Sequence, residues 1–188
     1  GFIGRAPVPP LMARFDIMPP EDLVAIDMPR VSPDGRTIAF NATDAAGKTR
    51  VWVRPLNSLS ARALEGTDGT SRPFWSPDSR FLGFFAEGKL KKVDVTGGPP
   101  QKICDAPTGA DGSWSSQGVI LFDGVTGDPI KRVSASGGAP VVEVQPDPAR
   151  KEAQVAWPEF LPDGRHYIYL AQGQKPEDNL YRIGTLGS

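Results

Sequence analysis

Apolar and polar residues alternate in short runs along most of the chain, as in Thr37-Ile38-Ala39-Phe40 and Leu90-Lys91-Lys92-Val93-Asp94-Val95. A period of two sends successive side chains to opposite faces of an extended strand. No stretch of useful length follows the 3.6-residue period of a helix. The runs come in groups: one strand ends at Trp75, a second crosses Phe81 to Phe85, a third Leu90 to Val95 and a fourth Gln101 to Cys104. The pattern predicts four short strands per group.

The groups repeat. FWSPDSRFLGFF from Phe74 is matched by RVSPDGRTIAF from Arg30, by EFLPDGRHYIY from Glu159 and, in degenerate form, by SWSSQGVILF from Ser113. Aligned on the residue before the proline position, Ser32, Ser76, Ser115 and Leu161 stand 44, 39 and 46 residues apart. A second motif travels with the first: VWVRPLNS from Val51, LKKVDVTGG from Leu90, IKRVSASGG from Ile130 and LYRIGTLGS from Leu180. A strand-built repeat of this length predicts an all-β propeller of four-stranded antiparallel blades, with about four repeats in view. The expected blades are 28–66, 71–105, 111–145 and an incomplete 156–188. Residues 1–10 read as a proline-rich linker, and 11–17 as a strand that completes a last blade from the other end of the chain.

The recurring stretch itself reads as a turn. In Ser32-Pro33-Asp34-Gly35, Ser76-Pro77-Asp78 and Pro162-Asp163-Gly164, proline presets the φ of a type I turn and glycine supplies the left-handed residue that re-enters a strand. The Ser and Asp side chains can satisfy the turn's own amides. In the third unit Ser116 and Gln117 replace Pro and Asp, so that turn is expected to differ. Gly97-Gly98 and Gly137-Gly138 are expected to close tight hairpins. The residue before each turn, Trp75, Trp114, Phe160 and the smaller Val31, is expected to bury apolar area between neighbouring blades.

Composition narrows the function classes. The chain has 188 residues, 39% hydrophobic and 23% charged, enough for a sizeable core, and its 21 Gly and 20 Pro fit a fold rich in turns. A formal net charge of −1 offers no field for nucleic acid or an anionic membrane surface. The single Cys104 excludes an intrachain disulfide and a cysteine metal cluster. No apolar run reaches the length of a membrane span, and GFIGRAPVPP lacks the core of a signal peptide.

The units, with SPDG or SPDS after an aromatic residue and GGP or GGAP after the third strand, resemble the WD-like repeats of TolB-type β-propellers. More narrowly, RPFWSPDSRFLGFFAEGKLKKVDVTGGPPQKICDAP together with WPEFLPDGRHYIYLA resembles the propeller that follows the kinase domain and membrane segment of many bacterial receptor-type serine/threonine kinases. That resemblance implies a non-catalytic sensory or interaction module on the extracytoplasmic, periplasmic side. The rivals are the substrate-filtering propeller of a prolyl-oligopeptidase-type serine hydrolase and a periplasmic TolB-like scaffold.

Catalytic constellations are scarce. The chain contains no GxSxG, HExxH, P-loop or HRD motif, and His166 is its sole histidine. His166 reads as a strand residue just past a tight turn, Cys104 as a buried inert thiol. Asp34, Asp78 and Asp163 hold equivalent places in different blades, which spreads them apart and leaves no metal or cofactor to expect. The functional expectation rests on the innermost strands, ahead of the aromatic positions, whose side chains meet across the axis. Of these, Arg72 and Asp111 are the candidate ligand-binding residues, for a small ligand or a peptide terminus. Self-association is expected as well, because an open arc leaves apolar blade faces bare.

Overall fold

The computed structural model describes residues 23–187 and is almost entirely β. The expected linker 1–10 and closing strand 11–17 lie outside the described residues. Blade 1 is built from β1 (Leu23–Val31), β2 (Thr37–Asp44), β3 (Thr49–Pro55) and β4 (Arg62–Ala63), hydrogen-bonded in that order. Blade 2 follows with β5 (Ser71–Trp75), β6 (Phe81–Ala86), β7 (Lys89–Asp94) and β8 (Gln101–Asp105), and blade 3 with β9 (Gly112–Trp114), β10 (Val119–Phe122), β11 (Ile130–Ser134) and β12 (Val141–Val144). Blade 4 has three strands, β13 (Glu152–Phe160), β14 (His166–Gly173) and β15 (Leu180–Thr185). All pairings are antiparallel, and first strands contact first strands, β1 with β5, β5 with β9 and β9 with β13. These are consecutive blades of a β-propeller arc. Two 3-10 turns, Pro148–Arg150 and Pro176–Asp178, are the only helical segments among the described residues.

The middle strands are apolar on both faces because each lies between two neighbours. In β6, Leu82, Phe84 and Ala86 join Ala39, Val51, Val53 and Leu64 of blade 1, while Phe85 turns the other way to Ile120, Phe122 and Val133 of blade 3. In β10, Leu121 points on to Val155 and Tyr167 of blade 4. Glycine admits the rings. A Cβ on Gly83 would come within 2.3 Å of the Phe74 ring and one on Gly112 within 2.7 Å, so Phe74 occupies space left by glycines in its own blade and the next.

The turns hold as hydrogen-bonded units. In blade 2 the Ser76 hydroxyl donates to Asp78 Oδ1 at 2.6 Å, which also accepts from the Arg80 amide at 3.1 Å, while Ser76 Oγ accepts from the Phe81 amide at 2.8 Å. Blade 1 repeats this with Ser32, Asp34, Arg36 and Thr37. The left-handed position is Gly35 (φ +70°) in blade 1, Gly164 (+67°) in blade 4 and, without glycine, Ser79 (+61°) in blade 2. The third turn differs, as expected. It is one residue shorter: Ser115 donates its N–H to the carbonyl of Val119, four residues on, where the other three turns reach five; Ser115 Oγ accepts from the Gln117 amide at 3.0 Å, and the Asp-based side-chain bonds are missing. Position four, glycine again at φ +74°, sets the turn.

Two expectations need correction. The glycine pairs do not close two-residue hairpins; residues 95–100 separate β7 from β8, and Gly97 and Gly98 lie within that longer loop at φ +115° and +107°. Val31 is 57% exposed, whereas Trp75 is 8% exposed. The residue at this position packs on the preceding blade: Trp75 on blade 1, Trp114 against Phe81 of blade 2, Phe160 in the cluster shared with blade 3. Among the described residues nothing precedes blade 1 to cover Val31.

Candidate ligand site on the inner side of the arc

Three of the inner strands share an irregularity at one place. Their register slips between Asp27 and Arg30 in β1, Ser71 and Phe74 in β5, and Ala156 and Glu159 in β13. Each slip is a bulge holding a non-glycine residue with positive φ before a proline: Met28 (+50°) before Pro29, Arg72 (+33°) before Pro73, Trp157 (+54°) before Pro158. Proline cannot donate to the ladder, which favours the bulge, and the left-handed backbone costs the residue before it on the order of 1–2 kcal/mol. Blade 3 carries Asp111-Gly112 at the same place, where the Phe74 ring leaves no room for a side chain on residue 112.

The bulges bring these positions together. A pocket of about 290 Å³ is lined by Arg72 and Trp157 from two of them, by Asp111 at the same position of blade 3, by Arg30 and Glu159 two residues beyond the bulge positions of their strands, and by Pro158. Arg72 and Asp111, the two residues singled out from sequence, pair directly, Nη1 donating to Oδ2 at 3.2 Å. Arg30 Nη2 stands 3.9 Å from the other oxygen of Asp111, which also accepts from the Gly112 amide at 3.0 Å. A second cavity of about 390 Å³ opens towards the turns and shares Arg30 and Glu159, with Trp75, Trp114 and Phe160 in its wall.

Behind the pocket stands a residue that the sequence reasoning passed over. Asp123, 3% exposed, follows β10 and accepts from the Asp111 amide at 2.7 Å and the Trp157 amide at 2.8 Å. It therefore fixes the Asp111 backbone in its own blade and the Trp157 bulge in the next. Burial is the main influence on its carboxyl, pushing it up to about 6 against the pull of these two amides. Burial also raises Glu159, with Arg30 opposing. The sequence signal for Asp123 was present, an acid closing the otherwise apolar run Val119-Ile120-Leu121-Phe122.

The other residues considered from sequence lie apart from this pocket. Asp34 and Asp78 are held below the usual carboxylate range, chiefly by the serine hydroxyls of their own turns. Asp163 is held down at about 2, first by His166, whose Nδ1 is 2.6 Å away. His166 and Asp163 have no serine or cysteine bonded to them in the same network, which leaves them as a turn lock. Cys104 is buried, and its thiol is pushed up to about 11 by desolvation, so it is a poor nucleophile at neutral pH. Lys91 and Lys92 do not form one patch: Lys91 pairs with Glu87 and Lys92 donates to the Ala135 carbonyl of blade 3.

Four consecutive blades around a shared inner surface define the chain as part of a β-propeller. Among solved structures it is similar to TolB from Acinetobacter baumannii (TM-score 0.67, 14% identity over 92% of this chain and 46% of that one). It is also similar to the β-propeller domain of the Trilobed protease from Pyrococcus furiosus (TM-score 0.61, 18% identity, 87% and 56%) and to puromycin hydrolase (0.60, 18%, 85% and 26%). The chain thus spans about half the length of the TolB and protease-propeller structures. No protein-family model matches it, and no curated protein matches it in sequence. At these identities the likeness establishes a TolB-like propeller fold.

Proposed function

We propose that the chain is a non-catalytic recognition module whose inner side binds a small ligand or peptide, and that it serves as the sensory or scaffold region of a larger protein resembling a bacterial receptor-type serine/threonine kinase. One observation carries the reading. Strained pre-proline bulges in blades 2 and 4 deliver Arg72 and Trp157 beside Asp111 of blade 3 into one pocket, and backbone strain of this kind persists where surrounding structure enforces it and function uses it. A rigid disc with a charged pocket can bias an association equilibrium by differential binding, without local chemistry. The similarity to a protease propeller and to puromycin hydrolase supports a second reading, a domain that filters substrates for a separate hydrolase.

A thermal-shift screen of metabolites and short peptides, run on the chain and on Arg72→Gln and Trp157→Ala, tests the site. Stabilisation by a hit that both substitutions abolish supports it; hits indifferent to both refute it. Turnover of an ester or peptide substrate that vanishes in His166→Ala overturns the non-catalytic reading.

A further inference from the structure

The chemistry of the pocket's ligand follows from its donors and acceptors. Two guanidinium groups face the pocket, each with five N–H donors and no acceptor. Their one common carboxylate partner is Asp111, which spends one oxygen on Arg72 and shares the other between the Gly112 amide and a 3.9 Å contact with Arg30. Arg30 makes no closer ion pair among the described residues. The remaining acids offer these arginines little. Asp123 has both oxygens occupied by the amides of Asp111 and Trp157, and Glu159, although its charge interacts with Arg30, sits where burial disfavours its ionised form and also bonds Ser113. Donors therefore exceed acceptors around the pocket, and a cation entering it would meet two guanidiniums while Asp111 is already paired.

An apolar surface stands next to these donors. Trp157 is 47% exposed, yet it lies on an inner strand and its backbone is pinned by Asp123. Its ring and Pro158 supply one wall of the pocket. Indole and guanidinium groups held side by side are the groups that most often anchor a bound partner. The volume, about 290 Å³, is at the small end of ligand sites and suits one or two terminal residues or a small acid.

We propose that this pocket binds a carboxylate carried beside an apolar group, the chemistry of a peptide C-terminus, with Arg30 and Arg72 on the carboxylate and Trp157 and Pro158 against the apolar part. The proposal rests on the reading of the inner side as a ligand site and names what that site selects. The two guanidiniums form charge-assisted hydrogen bonds with the carboxylate, each stronger than a neutral one. The carboxylate takes up the donors that Asp111 leaves free.

The test compares acetyl-Gly-Gly-Phe carrying a free carboxylate with the same peptide as its C-terminal amide, and with 3-phenylpropionate, by titration of the indole N–H signals in NMR spectra. The free acid is expected to bind at least about tenfold more tightly than the amide, a difference of about 1.4 kcal/mol. Arg72→Gln and Arg30→Gln, both at partly exposed side chains, are each expected to remove most of that preference. Weaker binding of 3-phenylpropionate than of the free peptide identifies a peptide terminus as the source, and equal binding identifies a small carboxylic acid. Equal affinity for acid and amide, or binding of neither below about 10 mM, overturns the proposal, and this wild-type comparison decides even if a variant fails to fold. If both carboxylates fail while a screen hit of other chemistry binds through Arg72 and Trp157, the ligand class is wrong and the site stands; if nothing depends on those residues, both readings fall.

Discussion

Replacing Trp75 by alanine removes the largest side chain between blades 1 and 2. Trp75 is 8% exposed and packs in a cluster with Ala39, Val51, Val53 and Leu64 of blade 1 and Leu82, Phe84 and Val93 of its own blade. Burying an indole removes roughly 200 Å² from water, worth about 5 kcal/mol at ~25 cal/mol per Å². Partial collapse of the cavity and residual contacts of the alanine bring the expected loss to about 3–5 kcal/mol. The ring also has a polar task, since Nε1 donates to the Arg30 carbonyl of β1 at 2.9 Å, tying the two inner strands together. Trp75→Phe keeps most of the apolar area and deletes that bond, so it should cost much less, about 1–2 kcal/mol including imperfect packing. Urea titrations followed by far-ultraviolet circular dichroism measure both, with the phenylalanine variant as the safeguard if the alanine variant does not fold. An alanine variant that loses less than about 1 kcal/mol at unchanged m-value would refute the placement of Trp75 as a tie between blades.

Other outcomes follow from the same geometry. Gly83→Ala should destabilise by about 1–3 kcal/mol, because its Cβ would meet the enclosed Phe74 ring at 2.3 Å; a neutral result in the same urea titration contradicts the packing described. Asp78→Ala should cost only about 1 kcal/mol, the loss of its bonds to Ser76 and Arg80, and should leave ligand binding unchanged in calorimetry. Stability should rise as pH falls from 7 to 5: Asp123 titrates near 6 in the fold against an ordinary carboxyl value of 3.8, so its charged form is penalised above about 6 and the penalty is relieved between those values. The full effect is at most about 3 kcal/mol, with roughly 1 kcal/mol gained by pH 5; Glu159, also raised, adds in the same direction, and Asp123→Asn should flatten the rise. Below about pH 4 the trend reverses as Asp163, held near 2 in the fold, becomes protonated and its native bonds to His166 and the turn are lost.

The parts of this fold legible in the sequence are those set by local chemistry repeated several times. A Ser-Pro-Asp-Gly turn carries its own hydrogen bonds, so its meaning does not depend on neighbours, and four copies of a strand pattern define the blade. The burial of Val31 was misread for the opposite reason: its surroundings depend on whether another blade lies against it. The pocket was half legible. Arg72 and Asp111 fell at the inner strands and do pair, but Asp123 lies just past β10, and its two amide partners are 12 and 34 residues away. Such a contact depends on how blades stack, which alternation within one strand does not encode. A usable clue was the recurrence of proline at Pro29, Pro73 and Pro158, always three residues before the first turn position. That regularity marks the bulges.

The two ends of each inner strand obey different rules, and the contrast bears on function. At the turn end blades 1, 2 and 4 share one backbone closure, which blade 3 shortens by one residue, and side chains at the first and third turn positions bond to the turn itself wherever they are Ser and Asp. At the bulge end the backbone irregularity recurs in blades 1, 2 and 4, while the side chain at that position changes from Met28 to Arg72, Asp111 and Trp157. A purely architectural bulge would be served as well by glycine, which adopts positive φ at almost no cost. Blade 3 shows that glycine is accommodated next to this position, at Gly112. Three blades instead hold a full side chain in a strained conformation, and the buried Asp123 carboxyl secures the Trp157 bulge despite the desolvation that raises it to about 6. The strain and the buried acid both oppose stability, and what they produce is a fixed arrangement of unlike side chains around one pocket. That arrangement is the physical ground for placing recognition at the bulge end of the propeller.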